Sequence, residues 1–152
     1  KLDLPLKVFY SGRLDKDSEG LLILTNDGVL SQNMMRGAFE HEKEYVVSVD
    51  KKPGKDFFIE MSSGIYLEEL DITTRPCKLI PDPQDEYKFT IILTQGLNRQ
   101  IRRMCLSLGY LCTSILRTRI LNVKLSGMSQ GECRELEAGE LEELHRLTSR
   151  SF

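Results

Sequence analysis

Two aspartates, Asp15 and Asp17, lie close together in a polar loop that is framed by glycines. Gly12 precedes them, and Gly20 comes just before the apolar run 21–24. A carboxylate on a loop next to a rigid sheet edge stays accessible, so it suits a reactive group. Taken alone, an aspartate in such a loop more often forms an Asx-turn or a solvated charge. A two-carboxylate hydrolase of the glycosidase type is disfavoured, because neighbours in one loop cannot easily flank a sugar.

A run of arginines is the second feature that could do chemistry. Arg99, Arg102 and Arg103 share one face of a predicted helix that begins after Asn98 as its N-cap and stops near Gly109. The opposite face carries apolar residues at 3.6-residue spacing, namely Ile101, Met104, Cys105 and Leu108. Alone, this pattern is typical of a solvated surface, with phosphate binding as the next interpretation.

The charge is distributed unevenly along the chain. The formal net charge is −2, yet the segment 87–131 contains basic residues and no acidic ones. Its basic residues are Lys88, Arg99, Arg102, Arg103, Arg117, Arg119 and Lys124. Segregated charge predicts a positive face for phosphates despite the acidic total. The alternative is that the fold scatters these residues around the surface.

The cysteines and histidines do not form a metal motif. The four cysteines, Cys77, Cys105, Cys112 and Cys133, contain no CxxC pair, and neither His41 nor His145 lies near one of them in sequence. We therefore expect buried thiols in a reducing, intracellular setting. His41 stands between Glu40 and Glu42, which predicts a surface histidine.

The remaining sequence predicts the elements that must position these groups. The 152 residues are 40 % hydrophobic, which fits one domain with a sizeable core. No stretch approaches the roughly 20 apolar residues that span a bilayer. Strands are predicted over 21–24, 43–49, 87–94 and 115–123, and helices over 29–35, 55–61, 98–109 and 140–147. The segment 81–83, Pro-Asp-Pro, is predicted to be a simple loop. The result is an α+β fold with a mainly antiparallel, mixed sheet and flanking helices.

The segment 12–28, GRLDKDSEGLLILTNDG, resembles the catalytic loop of the pseudouridine synthases of the RsuA, RluB, RluE and RluF branch. The segment 43–45, KEY, matches that family's Lys-x-Tyr, and 96–104, GLNRQIRRM, matches its arginine motif. The likeness continues through 117–123 and 125–127, where it is closest to the RluF type, a modifier of large-subunit rRNA. The resemblance implies the pseudouridine synthase fold and an isomerase that converts a uridine in RNA to pseudouridine.

The resemblance also implies roles for three residues. Asp15 would be the nucleophile. Tyr45 would stack on the flipped uracil and take the proton from C5, and a phenol is a weak enough base that this needs a positive neighbour. Arg102 would pair with Asp15, keeping it ionised and fixing its rotamer. Attack at uracil C6, attack at C1′ and a glycal route all remain open.

Further residues would contact RNA or the base by the same mapping: Arg13, Leu14, Lys43, Arg99, Ile101, Arg103, Arg117 and Arg119. Arg13 would help displace the base from its stack, and Ile101 would pack near it. Because the base must leave its stack at a cost of a few kcal/mol, unpaired loops and bulges are the easier targets. No cofactor and no metal are implied.

The chain departs from the family pattern at its beginning. Members usually carry an N-terminal S4-type RNA-binding domain and a strand with Lys-Pro before the GRLD loop, and neither is present here. We therefore expect residues 1–152 to be the catalytic domain of a longer protein. The implied partner is an rRNA stem-loop, of 23S rRNA or alternatively tRNA, and the implied location is cytoplasmic, as a monomer without membrane contact. The alternative function is a non-catalytic RNA-binding or ribosome-associated module on the same scaffold.

Overall fold

A computed structural model of the chain describes residues 7–36 and 40–149. In chain order the elements are β1 (Phe9–Ser11), β2 (Glu19–Gly20), β3 (Ile23–Thr25), α1 (Gly28–Arg36), β4 (Lys43–Val49), α2 (Lys55–Ser63), β5 (Tyr66–Leu67), β6 (Ile72–Thr73), β7 (Lys78–Pro81), β8 (Lys88–Leu93), α3 (Gln100–Ser107), β9 (Cys112–Ile120), β10 (Val123–Lys124) and α4 (Ala138–Thr148). Over these described ranges, every helix is too short or too polar to cross a bilayer.

The main sheet has the strand order β10-β9-β4-β8-β7, and all of these neighbours are antiparallel. The short strand β2 also belongs to this sheet, because it pairs in parallel with β9. Alternation along β8 buries Phe89, Ile91 and Leu93 on one face, as the sequence predicts. The mixed, mainly antiparallel sheet with helices around it confirms the predicted α+β fold. The predicted loop 81–83 falls at the β7–β8 hairpin turn, but its first residue, Pro81, still belongs to β7 and pairs with Phe89.

The described residues form two apolar cores. The larger packs α2 and α3 on the main sheet, and its aromatic centre brings Phe57 to 5.3 Å from Phe89 and 4.5 Å from Tyr110 between ring centroids. The smaller joins α1, α4, β3 and β10 through Leu30, Leu144 and their neighbours. The polar loop between β1 and β2 is therefore anchored at both ends, because β1 pairs with β3 and β2 pairs with β9 of the main sheet.

The beginning of α3 differs from the prediction. Arg99, not Asn98, is the N-cap, and it adopts a left-handed backbone with φ 51° and ψ 36°. The Asn98 side chain instead accepts a hydrogen bond of 2.9 Å from Arg103. The predicted cap was wrong because the Arg99 side chain binds a residue far away in the sequence, and this contact competes with capping by Asn98. The predicted end is close, since α3 finishes at Ser107 and Gly109 takes φ 85°.

Two strand predictions need correction. The predicted strand 115–123 is β9 followed by the separate strand β10, because Leu121 has φ 52° and turns the chain back on itself. The predicted strand 21–24 begins later, at Ile23. Leu21 is buried nonetheless, and its backbone N–H donates to the Arg117 carbonyl at 2.9 Å.

Two burial predictions also fail. His41 is only 6 % exposed, so it is not a surface histidine, and desolvation lowers the pKa of its ring. Of the four thiols, Cys105 is buried and Cys77 and Cys112 are half-buried, but Cys133 is exposed. Sequence neighbours were a poor guide to His41, because Glu40 and Glu42 are both exposed and only the side chain between them turns inward.

Candidate active site

The three residues predicted to be catalytic line one cavity of about 500 Å³. Asp15 comes from the loop between β1 and β2, Tyr45 from the central strand β4, and Arg102 from α3. Tyr45 stands opposite Ile91 on one neighbouring strand and Arg117 on the other, so its ring rises from the middle of the sheet. Segments far apart in sequence thus build a single concave site, which is the usual form of a ligand pocket.

The Asp15 carboxylate is exposed and makes no ion pair or hydrogen bond with any residue in the ranges 7–36 and 40–149. Its backbone carbonyl accepts a hydrogen bond of 2.9 Å from the Ser18 N–H, which closes a turn beneath it. The side chain is therefore held by its backbone alone and is open to a molecule that enters the cavity.

Arg102 does not pair with Asp15, contrary to the prediction. Its Nη2 donates to the Asp17 carbonyl at 2.8 Å, and its Nε lies 3.3 Å from the Asp17 Oδ2. Arg99 binds the same carboxylate in a bidentate fork, with 3.0 Å from Nη1 to Oδ1 and 2.7 Å from Nη2 to Oδ2. The guanidinium of Arg99 is the main cause that lowers the pKa of Asp17 to about 2.

Asp17 is thus the carboxylate that fastens the loop to α3. The left-handed backbone of Arg99 falls at this contact, and the fork offsets the cost of a conformation that non-glycine residues rarely adopt. The consequence is that Asp15, two positions earlier, projects from a loop with a fixed middle. The sequence contained a signal for the role of Asp17. The segment 87–131 has basic and no acidic residues, so its arginines need carboxylates from elsewhere in the chain, such as those of this loop.

The ends of the same loop are fastened by Arg117 of β9, which is only 4 % exposed. Its Nε donates to the Leu21 carbonyl at 2.9 Å and its Nη1 to the Arg13 carbonyl at 3.1 Å. Its Nη2 is buried without a hydrogen-bond partner in the described part of the chain. Gly20, with φ 118°, packs so closely on β9 that a Cβ would stand 2.3 Å from the Arg117 carbonyl oxygen. Only glycine fits there.

Lys43 lies on the buried side of this arrangement. Its Nζ donates to the Thr94 carbonyl at 3.4 Å. Burial, and secondarily the positive charge of Arg117, lower the pKa of its ammonium group to about 8. The position of Lys43 beneath the cavity is therefore electrostatically costly, and it does not belong to the lining side chains.

The structure divides the other predicted RNA-contacting residues into two groups. Those that line the cavity are Arg13, Leu14, Arg99, Ile101 and Arg117. Arg103 and Arg119 do not line it. Arg119 forms an ion pair with Glu42 and donates to the Leu121 carbonyl at 2.7 Å, so its guanidinium is bound within the fold.

The sequence motifs did not predict a pair of buried amides. Gln95 and Gln100 both line the cavity and both are buried. The Gln95 Oε1 accepts from the Arg75 N–H at 2.8 Å and from the Gln100 Nε2 at 3.2 Å, while the Gln100 Oε1 accepts from the Leu97 N–H. These bonds hold the turn 95–98 against the start of α3. Glutamine is too common a surface residue for its type to reveal such a role.

The cavity combines an apolar floor with a charged rim. Leu93, Ile101 and Ile115 are buried and line it, beside the half-buried ring of Tyr45. The rim carries arginines and the unpaired Asp15 carboxylate. A flat, partly apolar group attached to a phosphate would satisfy both surfaces, and a free carboxylate beside it can act as a nucleophile.

Comparison with known proteins agrees with this arrangement. The RNA pseudouridylate synthase family model matches residues 1–107. The chain is 47 % identical to the dual-specificity RNA pseudouridine synthase RluF of Escherichia coli K12, over 95 % of this chain and 49 % of the relative. It is 34 % identical to the ribosomal large subunit pseudouridine synthase B of Bacillus subtilis, over 95 % of this chain and 60 % of the relative.

A solved structure extends the likeness to three dimensions. A crystal structure of a pseudouridylate synthase superposes with a TM-score of 0.86 at 32 % identity, covering 94 % of this chain and 63 % of that one. The chain spans about half the length of the RluF relative it matches. From the family match, the identity to curated members and the shared fold, the chain belongs to the RNA pseudouridylate synthase family.

Proposed function

We propose that this chain is the catalytic domain of an isomerase that converts a uridine within ribosomal RNA to pseudouridine, with Asp15 as the nucleophile. The observation that carries the proposal is the unpaired Asp15 carboxylate in a cavity that also holds Tyr45 and an apolar floor. Family membership supplies the reaction class, and the cavity is of a size and character to receive a single flipped base.

The reaction rearranges bonds within one nucleotide. The C1′–N1 bond breaks, the uracil turns, and C5 bonds to C1′, so the hydrogen lost from C5 is balanced by one gained at N1. Asp15 acts by covalent attack at C1′ or C6, or by removing the 2′ proton on a glycal route. Each version needs an ionised carboxylate that can reach the nucleotide, and Asp15 is exposed at the cavity and lines it.

Tyr45 and the arginines supply the remaining parts. The ring of Tyr45 stacks on the base, and its oxygen, in the deprotonated form, takes the C5 proton, with Arg102 and Arg117 as positive groups at the same cavity. Ile101 packs against the base. Arg13 takes the place of the extruded base in its stack, and Arg99, which lines the cavity, contacts a phosphate of the RNA.

The substrate we propose is an unpaired loop or bulge of a 23S rRNA stem-loop. One relative is named for the large ribosomal subunit and another for dual specificity, so a tRNA is a further candidate. An rRNA substrate implies a cytoplasmic location, and we propose that the protein acts as a monomer. Low cost of unstacking favours an unpaired uridine over one in a continuous helix.

The test removes the nucleophile and leaves the size and shape of the side chain nearly unchanged. Asp15→Asn should abolish pseudouridine formation, because an amide cannot attack carbon. Pseudouridine would be mapped by mass spectrometry in rRNA from cells that lack the protein, before and after incubation with each variant. Asp56→Asn, a matched change at an exposed carboxylate on α2, should retain full activity. Turnover in Asp15→Asn would reject the proposed nucleophile, and an rRNA map unchanged by loss of the protein would reject the rRNA substrate.

A further inference from the structure

A second cavity of about 300 Å³ lies beside α3 and the chain that leads into β9. One helix face lines it through Arg99, Arg102, Arg103 and Leu106, and the chain leading into β9 lines it through Tyr110, Leu111 and Cys112. Glu69 completes the lining. Arg99 and Arg102 line both cavities, so the two form a continuous path across the start of α3.

Arg103 differs from the other two arginines in this cavity. Arg99 and Arg102 are ion-paired with Asp17. Arg103 donates from Nε to the Asn98 carbonyl and from Nη2 to the Asn98 Oδ1, each at 2.9 Å, and both acceptors are neutral. Within the described chain its charge is therefore oriented but not neutralised, which suits a guanidinium that awaits an anion.

The cavity also has an apolar wall that the fold leaves uncovered. Leu106 is 57 % exposed and Leu111 is 58 % exposed, although both line a concave surface. The Tyr110 ring is already engaged, because it packs on Phe57 and has the Lys51 Nζ 5.1 Å from its centroid. The two leucines therefore form the face that is available to a flat group.

We propose that this second cavity binds the nucleotide next to the modified uridine, with its base on Leu106 and Leu111 and the linking phosphate on Arg103. This inference rests on the proposed function, since it needs an RNA strand in the first cavity. The volume of the cavity is sufficient for one nucleotide and too small for a duplex. Charge supports an anionic ligand, because arginines outnumber the acidic side chains even when Asp17 is included. Seven helical residues separate Arg99 from Leu106, roughly 10 Å, a span that neighbouring nucleotides can cover.

The experiment compares three probes on the same protein: uridine 5′-monophosphate, the trinucleotide UpUpU, and a UpUpU analogue whose two outer sugars lack bases. A base that buries part of one face on two leucine side chains gains on the order of tenfold in affinity from the apolar area removed from water. UpUpU should therefore bind roughly tenfold more tightly than the monophosphate. The analogue without outer bases should lose most of that gain.

Variants of residues that line the second cavity test whether the higher affinity for UpUpU arises there. Leu106→Gln with Leu111→Gln should remove the advantage of UpUpU and leave the monophosphate unaffected. Arg103→Gln should weaken UpUpU and its base-free analogue by the same factor. Ile59→Gln, a matched change at a leucine-like side chain that is 53 % exposed on α2 and lines neither cavity, should change nothing.

The outcomes separate this inference from the proposed function. Equal affinity for UpUpU and its base-free analogue, or an unchanged UpUpU affinity in the double leucine variant, would overturn the nucleotide subsite. That holds whether or not the same preparation forms pseudouridine. Absence of pseudouridine formation together with the expected binding pattern would instead reject the isomerase and retain the subsite.

Discussion

On one side of the loop 12–20, Arg117 is 4 % exposed and binds carbonyl oxygens near both ends of the loop. On the other side, Arg99 and Arg102 reach the middle of the loop through Asp17, and the side chains of Arg99 and Asp17 are 42 % and 47 % exposed. The same side-chain type thus serves two settings. On the sheet side, a buried guanidinium donates to neutral carbonyl oxygens. On the helix side, the exposed Arg99 and the less exposed Arg102, at 16 %, bind a carboxylate that is itself exposed.

The two sides of the loop should therefore contribute differently, one to the stability of the fold and the other to the position of the loop. Removing a buried hydrogen-bonded cation leaves its acceptors without partners, which costs far more than losing an exposed ion pair. Exposed pairs contribute little to stability because water and salt screen them. They can nevertheless fix where a loop stands, and Asp15 lies between the two supports. We therefore expect the sheet side to control folding and the helix side to control the geometry of the reactive carboxylate.

The largest expected effect is on the sheet side. Arg117→Ala should lower the free energy of unfolding by about 3 kcal/mol, because two charge-assisted hydrogen bonds are lost and two carbonyls are left unpaired. Urea denaturation followed by circular dichroism measures this change. Arg117→Lys should fall between the wild type and Arg117→Ala, since one ammonium cannot reproduce the guanidinium fork. A loss in Arg117→Ala no larger than that of an exposed ion pair would remove the distinction between the two sides.

The next effect belongs to the helix side. Asp17→Asn should reduce the rate of pseudouridine formation by roughly 100-fold, through misplacement of Asp15. The urea midpoint should move less than in Arg117→Ala, because solvent screens the exposed ion pair. Arg99→Gln should act similarly, and the double variant should be little worse than either single one, because both changes break one contact. A large shift in the urea midpoint with normal turnover would reverse the roles assigned to the two sides.

The charge state of Asp17 gives this contact a pH dependence. The pKa of Asp17 in the folded protein is about 2, below its ordinary value of 3.8, because Arg99 binds the ionised form. The stabilisation is therefore fully present above pH 3.8 and is lost as the pH falls towards about 2. A carboxyl chemical-shift titration should give a midpoint near 2 for Asp17, and Arg99→Gln should raise that midpoint. An unchanged midpoint in that variant would contradict the fork.

The smallest expected effect concerns Lys43 on the sheet side. Its folded-state pKa of about 8 lies below its ordinary value of 10.5, so the unfolded chain holds this proton more tightly. Stability therefore rises as the pH rises from about 8 to 10.5. Lys43→Met should remove that rise, because methionine does not titrate. Urea denaturation at several pH values measures it, with the exposed Lys55→Met as control.

Local pattern predicted most of the elements. The strand 43–49 has the predicted limits, because alternation and β-branched residues specify it within a few positions. The helix around Met104 was also predicted, although its cap was not. Asn98 is a good cap by type, yet Arg99 takes that position because its side chain is drawn to Asp17. A capping preference of about 1 kcal/mol is easily overridden by tertiary contacts.

The sequence predicted which residues line the candidate site, but only some of the contacts that they make. Asp15, Tyr45 and Arg102 were named from motifs, and they line one cavity. Their catalytic roles stay a prediction. The pairing of Arg102 was wrong, because two aspartates stood within reach and residue type does not tell which one the guanidinium binds. His41 failed for a similar reason, since flanking charges do not reveal the direction of a side chain.

By itself, the sequence determined the elements, the family and the list of polar groups available for chemistry, because these depend on local periodicity and on residue type. The tertiary structure decided which carboxylate is held and which is left free. Arg99 meets Asp17 across 82 positions of sequence, and Arg117 meets Leu21 across 96. Contacts at such separations are fixed by the packing of strands and helices, and no local pattern encodes them.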